Sequence, residues 1–434
     1  MTAYRRQLYS ISENLNRDDF IFAKYIVGSE TGDYMMLAAE IGVEQTTGTW
    51  EKVPGETDEL VERHGAKVVS AFEIPDYTFT KSDGMRYFFM EVAYPIINYT
   101  HQIPMMLTSV LGNISMMGNL KLMDLEFPKS WVDQFPGPKF GPEGVRKLLN
   151  VHGRPLTNNM IKPCLGLSPE KTADLFYEVA VGGIDIIKDD ELIANAPYSL
   201  IKDRVKACMA AEKRAFEETG ERTMYVVNVT DSPSKMLDNA KAAIEGGATC
   251  LLVNHLTAGM GMLQELAENP EINVPLMSHP NFVGAMSWSE LSGMSAHLTL
   301  GKLPRLCGAD IAVYPTAHGK IPHNMESYMK VSLSLQEPMA DIKASMPLAG
   351  GGVHPGMTKV LMDELGNEQV LGCGAGVHAH PMGPRAGAMA MRQSIDAVLA
   401  GKDLREAGKE YKELQSAIDR WGVSGEKEIF GLRK

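Results

Sequence analysis

The segment GGIDIIKDDE, residues 182–191, carries the most chemistry for its length. IDIIK (184–188) reads as a short strand, and side chains alternate along a strand. Lys188 and Asp190 therefore point to one side and Asp189 to the other, while Glu191 can turn inward as the chain leaves the strand. Two hard carboxylates suit Mg²⁺, which takes oxygen ligands and keeps several waters. A lysine beside a dication is unfavourable unless its charge is removed. Carbamylation by CO₂ would make Lys188 a third oxygen ligand beside Asp190 and Glu191. The plain alternative is a solvated acidic turn in which Lys188 pairs with its neighbours.

Two glycine runs come next. Gly350-Gly351-Gly352 and Gly374-Ala375-Gly376 offer backbone N–H groups of the kind that cradle phosphate, although glycine also serves tight turns. Lys320, in TAHGKIPHN (316–324), would add a charge; alone it would be an ordinary surface lysine. His279 follows an apolar run and has the chemistry to orient a group or move a proton. His354, His378 and His380 lie near the glycine runs without the spacing of a zinc motif.

These residues need a scaffold. From residue 155 onward, short apolar or β-branched runs recur at 157–162, 184–188, 223–228, 249–254, 274–278, 310–314, 346–350 and 369–373. Helical stretches separate them, which predicts a (β/α)₈ TIM barrel, although an open doubly wound sheet shares the alternation. In such a barrel the chemistry sits at the C-terminal strand ends. Lys162, Lys188–Glu191, Asn228, Asn254-His255, Ser278-His279 and both glycine runs fall there. Before it, strands at 20–28, 66–75, 85–95 and 118–127 and helices at 33–45 and 103–113 follow the βαββαβ order of a ferredoxin-like α+β unit. FPGPKFGPEG (135–144) marks the connection. The expected domains are 1–138, ferredoxin-like, and 139–434, the barrel with a charged helical tail.

The net charge of -12 argues against a nucleic-acid partner. No apolar run approaches the roughly 18 residues of a membrane span. The first twenty residues lack the apolar core of a signal peptide. Five scattered cysteines without a CxxC pair suit a reducing cytoplasm.

GGIDIIKDDE resembles the metal-site signature of the ribulose bisphosphate carboxylase (RuBisCO) large subunit. The resemblance runs from about residue 18 to 421 and includes EQTTGTW (44–50), LTSVLGN (107–113), HGRPLTNNMIKPCLGLSP (152–169), the glycine loops and HPMGPRAGA (380–388). It implies a head-to-tail homodimer in which the N-terminal domain of one subunit completes the active site of the other. It implies that Lys188 is the carbamylated lysine, with Asp190 and Glu191 the other Mg²⁺ ligands. Lys162 is similar to the acid/base lysine of the first barrel strand, and His279 to the histidine of the fifth. Glu44 and Asn113 match residues brought by the second subunit. Thr49, Trp50, Lys320, Gly352, Gly374 and Ala375 fall where the family binds one substrate phosphate.

The departures bear on the reaction. Cys164 stands where the family has a second lysine. Pro280 replaces an arginine, Val283 and Val313 replace histidines, and Gly350 replaces a serine. The arginine, histidine and serine hold the second phosphate of the carboxylase substrate, and Pro, Val and Gly side chains cannot do so. The chain thus resembles the RuBisCO-like (form IV) proteins rather than a carboxylase. The implied activity is Mg²⁺-dependent enolate chemistry, decarboxylation or isomerisation, on a small phosphorylated sugar or sugar acid with one phosphate. Examples are 3-oxo-isoapionate 4-phosphate and a 5-methylthio-ketose 1-phosphate. The enolases of methionine salvage use a lysine base where this chain has Asn113. The rival expectation is a non-catalytic member that binds a phosphorylated ligand or a protein. The intact Lys188, Asp190, Glu191 set speaks against it.

Overall fold

In FIFAKYIVGS the apolar residues alternate from Ala23 onward, with Ala23, Tyr25 and Val27 buried and Lys24 and Ile26 half-buried. That pattern makes a strand with one covered face. The computed structural model describes residues 6–30, 33–49, 51, 53–74, 84–321 and 323–424. Its first strands are β1 (Phe20–Ser29), β2 (Lys67–Ile74), β3 (Arg86–Pro95) and β4 (Leu120–Glu126), paired antiparallel in the order β4-β1-β3-β2. Helices Tyr34–Glu44 and Ile103–Leu111 intervene as expected. Asp33 caps the first by accepting from Met36 N, and Gln102 caps the second by accepting from Met105 N. The second helix buries Ile103, Met106 and Val110, spaced i, i+3, i+7. The Tyr25 hydroxyl donates to the Val110 carbonyl at 2.6 Å and ties helix to sheet.

The barrel strands are β5 (Leu156–Met160), β6 (Ile186–Lys188), β7 (Met224–Asn228), β8 (Cys250–Val253) and β9 (Leu276–Ser278). After β10 (Ser292–Met294) come β11 (Ile311–Pro315), β12 (Met346–Gly350) and β13 (Val370–Gly372). All but β10 pair in parallel and close on themselves, β13 returning to β5. Closure decides between the barrel and the open sheet. One set of alternate side chains fills the interior: Leu156, Ile186, Met224, Val226, Leu252, Met277, Ile311, Val313, Leu348 and Val370. At the opposite end from the chemistry, Asp310 accepts from Phe140 N, Gly141 N and Leu276 N at 2.7–2.9 Å. There Arg154 also clasps Asp185 through two 2.7 Å bonds.

Chain packing forms two compact units. One takes Met1–Pro136, Phe282–Leu306 and Met339–Ile342; the other takes Gly137–Asn281, Cys307–Pro338 and Lys343–Lys434. The segment after residue 281 joins the first unit because β10 adds to the edge of β4 in parallel. Lys121 Nζ donates to Ser287 O at 3.0 Å, and Asp124 accepts from Lys302 Nζ at 2.7 Å with His297 Nε2 2.9 Å away.

Candidate active site

The barrel register sets Met160 beside Lys188 and Lys188 beside Val226, so the chain ends after β5, β6 and β7 emerge together. Lys188 is wholly buried; its ammonium donates to Asp189 O at 2.8 Å and to Glu191 Oε2 at 3.1 Å. Asp190, also buried, accepts from Lys162 Nζ, which further contacts Cys164 Sγ at 3.1 Å. His279 Nε2 lies 3.2 Å from Glu191 Oε2. Asn281 N donates to His279 Nδ1 at 3.3 Å, which assigns the ring proton to Nε2, toward the carboxylate.

Asp189 turns the other way, as strand alternation requires. It is buried against Arg204 (2.9 Å), the Tyr225 hydroxyl (2.7 Å) and Asn228 N (3.1 Å). Asn228 and Asn254, noted only as strand-end residues, position Glu191: their side-chain amides donate to its carbonyl at 3.1 and 3.0 Å. Nothing in their spacing announces this, since β7, β8 and the 188–191 turn meet only in the closed barrel.

Burial alone would raise the Glu191 carboxyl, but the Lys188 charge and then His279 outweigh it and hold the pKa near about 2. Burial, reinforced by the Lys188 charge, depresses His279 to about 3, so its imidazole is neutral at physiological pH. For Lys162, burial acts downward, yet the hydrogen bond to Asp190 wins and holds it above the usual lysine range. His378, held 2.9 Å from Asn159 Oδ1, is lowered to about 4 by burial and then by Lys162.

Among the described residues no three His, Cys, Asp or Glu side chains converge as a ready-made metal site. The donor chemistry nevertheless fits Mg²⁺. Asp190 and Glu191 are hard oxygen donors, both now neutralised by lysines, and Lys188 as a carbamate would replace an ammonium with a third oxygen ligand.

The glycine loops are backbone surfaces. Gly351 and Gly352 take φ of +90° and +116°, and a Cβ on Gly352 would lie 2.9 Å from Lys320 N. Lys320 N donates to Gly351 O at 2.7 Å, so the Lys320 loop is stitched to this one, with the Lys320 side chain exposed. Gly374 borders Lys162, where an added Cβ would lie 3.6 Å from Lys162 Cε, and Ala375 opens the short helix Ala375–His378. In the other unit, Asn113 Nδ2 donates to Glu44 Oε1 at 3.3 Å on an exposed surface, and Thr49 is exposed. Trp50 lies outside the described residues.

Two of the departures are neighbours. A Cβ on Gly350 would lie 3.8 Å from Leu348 Cδ2 and 4.0 Å from Val313 Cγ1. At the ends of β11 and β12 the chain thus presents Val313 and Gly350, neither of which has a side-chain donor for a phosphate.

Residues 8–131 match the N-terminal domain model of the ribulose bisphosphate carboxylase large chain, and residues 142–421 match its catalytic domain model. The chain belongs to the RuBisCO large-chain family. It is 46% identical over 415 residues to a ribulose bisphosphate carboxylase-like protein of Archaeoglobus fulgidus, covering 94% of this chain and 95% of that one. It is 36% identical to the 2,3-diketo-5-methylthiopentyl-1-phosphate enolase of Geobacillus kaustophilus, covering 93% and 98%. Among solved structures, the RuBisCO-like protein MtnW from Alicyclobacillus acidocaldarius superposes with a TM-score of 0.87 at 34% identity, covering 94% of this chain and 100% of that one. The dimeric archaeal RuBisCO of Hyperthermus butylicus superposes with a TM-score of 0.85 at 31% identity, covering 96% and 99%. No described helix is long and apolar enough to cross a membrane.

Proposed function

We propose that this protein catalyses enolisation of a keto-sugar monophosphate of the 5-methylthio-ketose 1-phosphate class and fixes no CO₂. The observation that carries the reading is that Val313 and Gly350 stand side by side, without a side-chain donor, in the same barrel as the charged Lys162, Lys188, Asp190, Glu191 and His279 set. On this reading the barrel keeps the groups that handle an enolate and lacks, at positions 280, 313 and 350, the family's donors for a second phosphate. A bisphosphate would leave a dianion poorly paired, at a cost of about several kcal/mol. The similarity to named diketo-phosphate enolases supports the same direction.

Mg²⁺, held by Asp190, Glu191 and carbamylated Lys188, would supply the positive charge that stabilises an enolate oxygen. The carbamate on Lys188 would accept the C–H proton, and Lys162, an ammonium held by Asp190, can donate one to the enolate oxygen. Neutral His279 directs an N–H toward the Glu191 side of the site. Gly352, Gly374, Ala375 and Lys320 hold the phosphate, joined in a homodimer by Thr49 and Trp50 of the second copy, whose Glu44 and Asn113 close the site. Five free cysteines suit a reducing cytoplasm.

Asn113 favours a second reading. Its amide, bonded to Glu44, cannot accept a proton. Decarboxylation of a 3-keto acid such as 3-oxo-isoapionate 4-phosphate generates the enolate without a base and needs only a donor such as Lys162. Parallel assays of both substrates with Mg²⁺ and bicarbonate test the proposal. Ultraviolet detection of the enol supports the first reading, and CO₂ release from the keto acid supports the second. Phosphoglycerate formation from ribulose 1,5-bisphosphate with labelled CO₂ would overturn both.

A further inference from the structure

The end of the C-terminal helix grips the loop that follows β12. Beyond Gly352 the chain runs through Val353 and His354 into the turn Pro355–Met357. The Val353 carbonyl accepts from Cys373 Sγ at 3.1 Å. A Cβ on Gly376 would lie 2.7 Å from that carbonyl and 3.0 Å from His354 Cα, so the two glycine loops are stacked backbone to backbone.

The helix Lys412–Trp421 closes over His354. The Trp421 indole stacks on the His354 imidazole, with ring centroids 5.9 Å apart and planes at 27°. His354 Nδ1 is buried and makes no hydrogen bond, so the ring is oriented by packing. His380 supports the indole from 6.3 Å and is itself fixed by Glu413 O (2.9 Å) and Met382 N (3.1 Å). Past the helix, Ser424 N donates to Gly356 O at 2.9 Å. A Cβ on Gly356 would come within 1.9 Å of Gly422 O, so only glycine permits this approach. The helix is anchored independently by Leu414 and Ile418 in a cluster with Ala397, Leu404 and Ala407.

We infer that Trp421 is a positioning residue for the substrate phosphate: through the His354 stack and the Ser424–Gly356 bond, the helix Lys412–Trp421 holds the Gly350–Gly352 loop in its ligand-binding form. This rests on the reading that the loop takes the phosphate. Consecutive glycines at positive φ are intrinsically free, and a free loop loses entropy when it closes on a ligand. A brace that orders the loop beforehand removes that cost from binding. The brace touches no reacting group, so its loss falls on phosphate affinity and leaves the chemical step alone.

The test compares the intact protein with Trp421→Ala, Trp421→Phe and Ser424→Pro, using inorganic phosphate calorimetry and steady-state kinetics. Trp421→Ala is expected to weaken phosphate about tenfold and to raise KM by a similar factor, with kcat within twofold. Trp421→Phe, which keeps a ring on His354, restores most of the affinity. Ser424→Pro removes the N–H without touching the helix, and is expected to weaken phosphate about threefold; it carries the test if Trp421→Ala does not fold. Affinity within twofold of wild type in both Trp421→Ala and Ser424→Pro, or a fall in kcat at unchanged KM, overturns the inference. Wild-type protein that turns over substrate yet loses no affinity on Lys320→Ala and binds no inorganic phosphate overturns the loop assignment itself, and the inference with it.

Discussion

The Lys188 ammonium is wholly buried and donates to the Glu191 carboxylate at 3.1 Å, so two of the proposed metal ligands form an ion pair with each other. Carbamylation reverses the sign at Nζ and sets a new anion against Glu191 and Asp190. A dication would resolve that repulsion, so the proposed carbamate and Mg²⁺ are expected to bind with positive coupling. Bicarbonate is therefore expected to tighten Mg²⁺ binding at least tenfold in calorimetry, and ¹³C-labelled bicarbonate to give a carbamate resonance that needs Mg²⁺. Lys188→Ala should lose the resonance, the coupling and turnover. Mg²⁺ affinity independent of bicarbonate in the wild type would count against the assignment.

Asp189 and Asp190 are adjacent yet should fail differently. Asp189→Ala strands the buried Arg204 guanidinium and is expected to cost about 3–5 kcal/mol of stability in urea unfolding. Asp190→Asn should abolish turnover with a far smaller loss of stability, because its partner Lys162 reaches solvent. Equal destabilisation by both would contradict the opposite-facing geometry.

Asp310 gives a pH signature. Its carboxyl is pushed up to about 6, because burial outweighs the three backbone N–H groups that it accepts. The folded pKa lies above the unfolded value near 3.9. The fold therefore holds this proton more tightly, and the resulting stabilisation is present below about pH 4 and lost as pH rises through 6. The stability difference between wild type and Asp310→Asn should shrink by about 1–3 kcal/mol between pH 4 and 7. A difference that stays flat or grows with pH would refute the assignment.

Cys164 is partly exposed, whereas Cys208, Cys250, Cys307 and Cys373 are buried. Native protein treated with iodoacetamide should label Cys164 first, as peptide mass mapping would show. The added group would crowd Lys162, 3.1 Å away, so activity should fall in step with labelling. Substrate should protect, and Cys164→Ser should resist the reagent. Rapid labelling without loss of turnover would detach Cys164 from the site.

Local periodicity, by itself, determined the strands and the sides on which their residues lie. The expected runs at 310–314 and 346–350 became Ile311–Pro315 and Met346–Gly350, because β-branched and apolar residues bounded by glycine and proline have few other uses. The opposition of Lys188 and Asp190 to Asp189 needed only the two-residue repeat of a strand. Contacts between residues distant in sequence needed the fold. Ser292–Met294 is three residues long and shows no alternation, so its place beside β4 was invisible until the sheet edge existed. Arg204 as the counter-charge of Asp189, Asn254 as the support of Glu191, and Trp421 over His354 join residues 15 to 67 positions apart. No periodic signal spans such separations. They are decided by barrel closure and helix packing, which bring those side chains to one place and let the buried polar groups among them find partners.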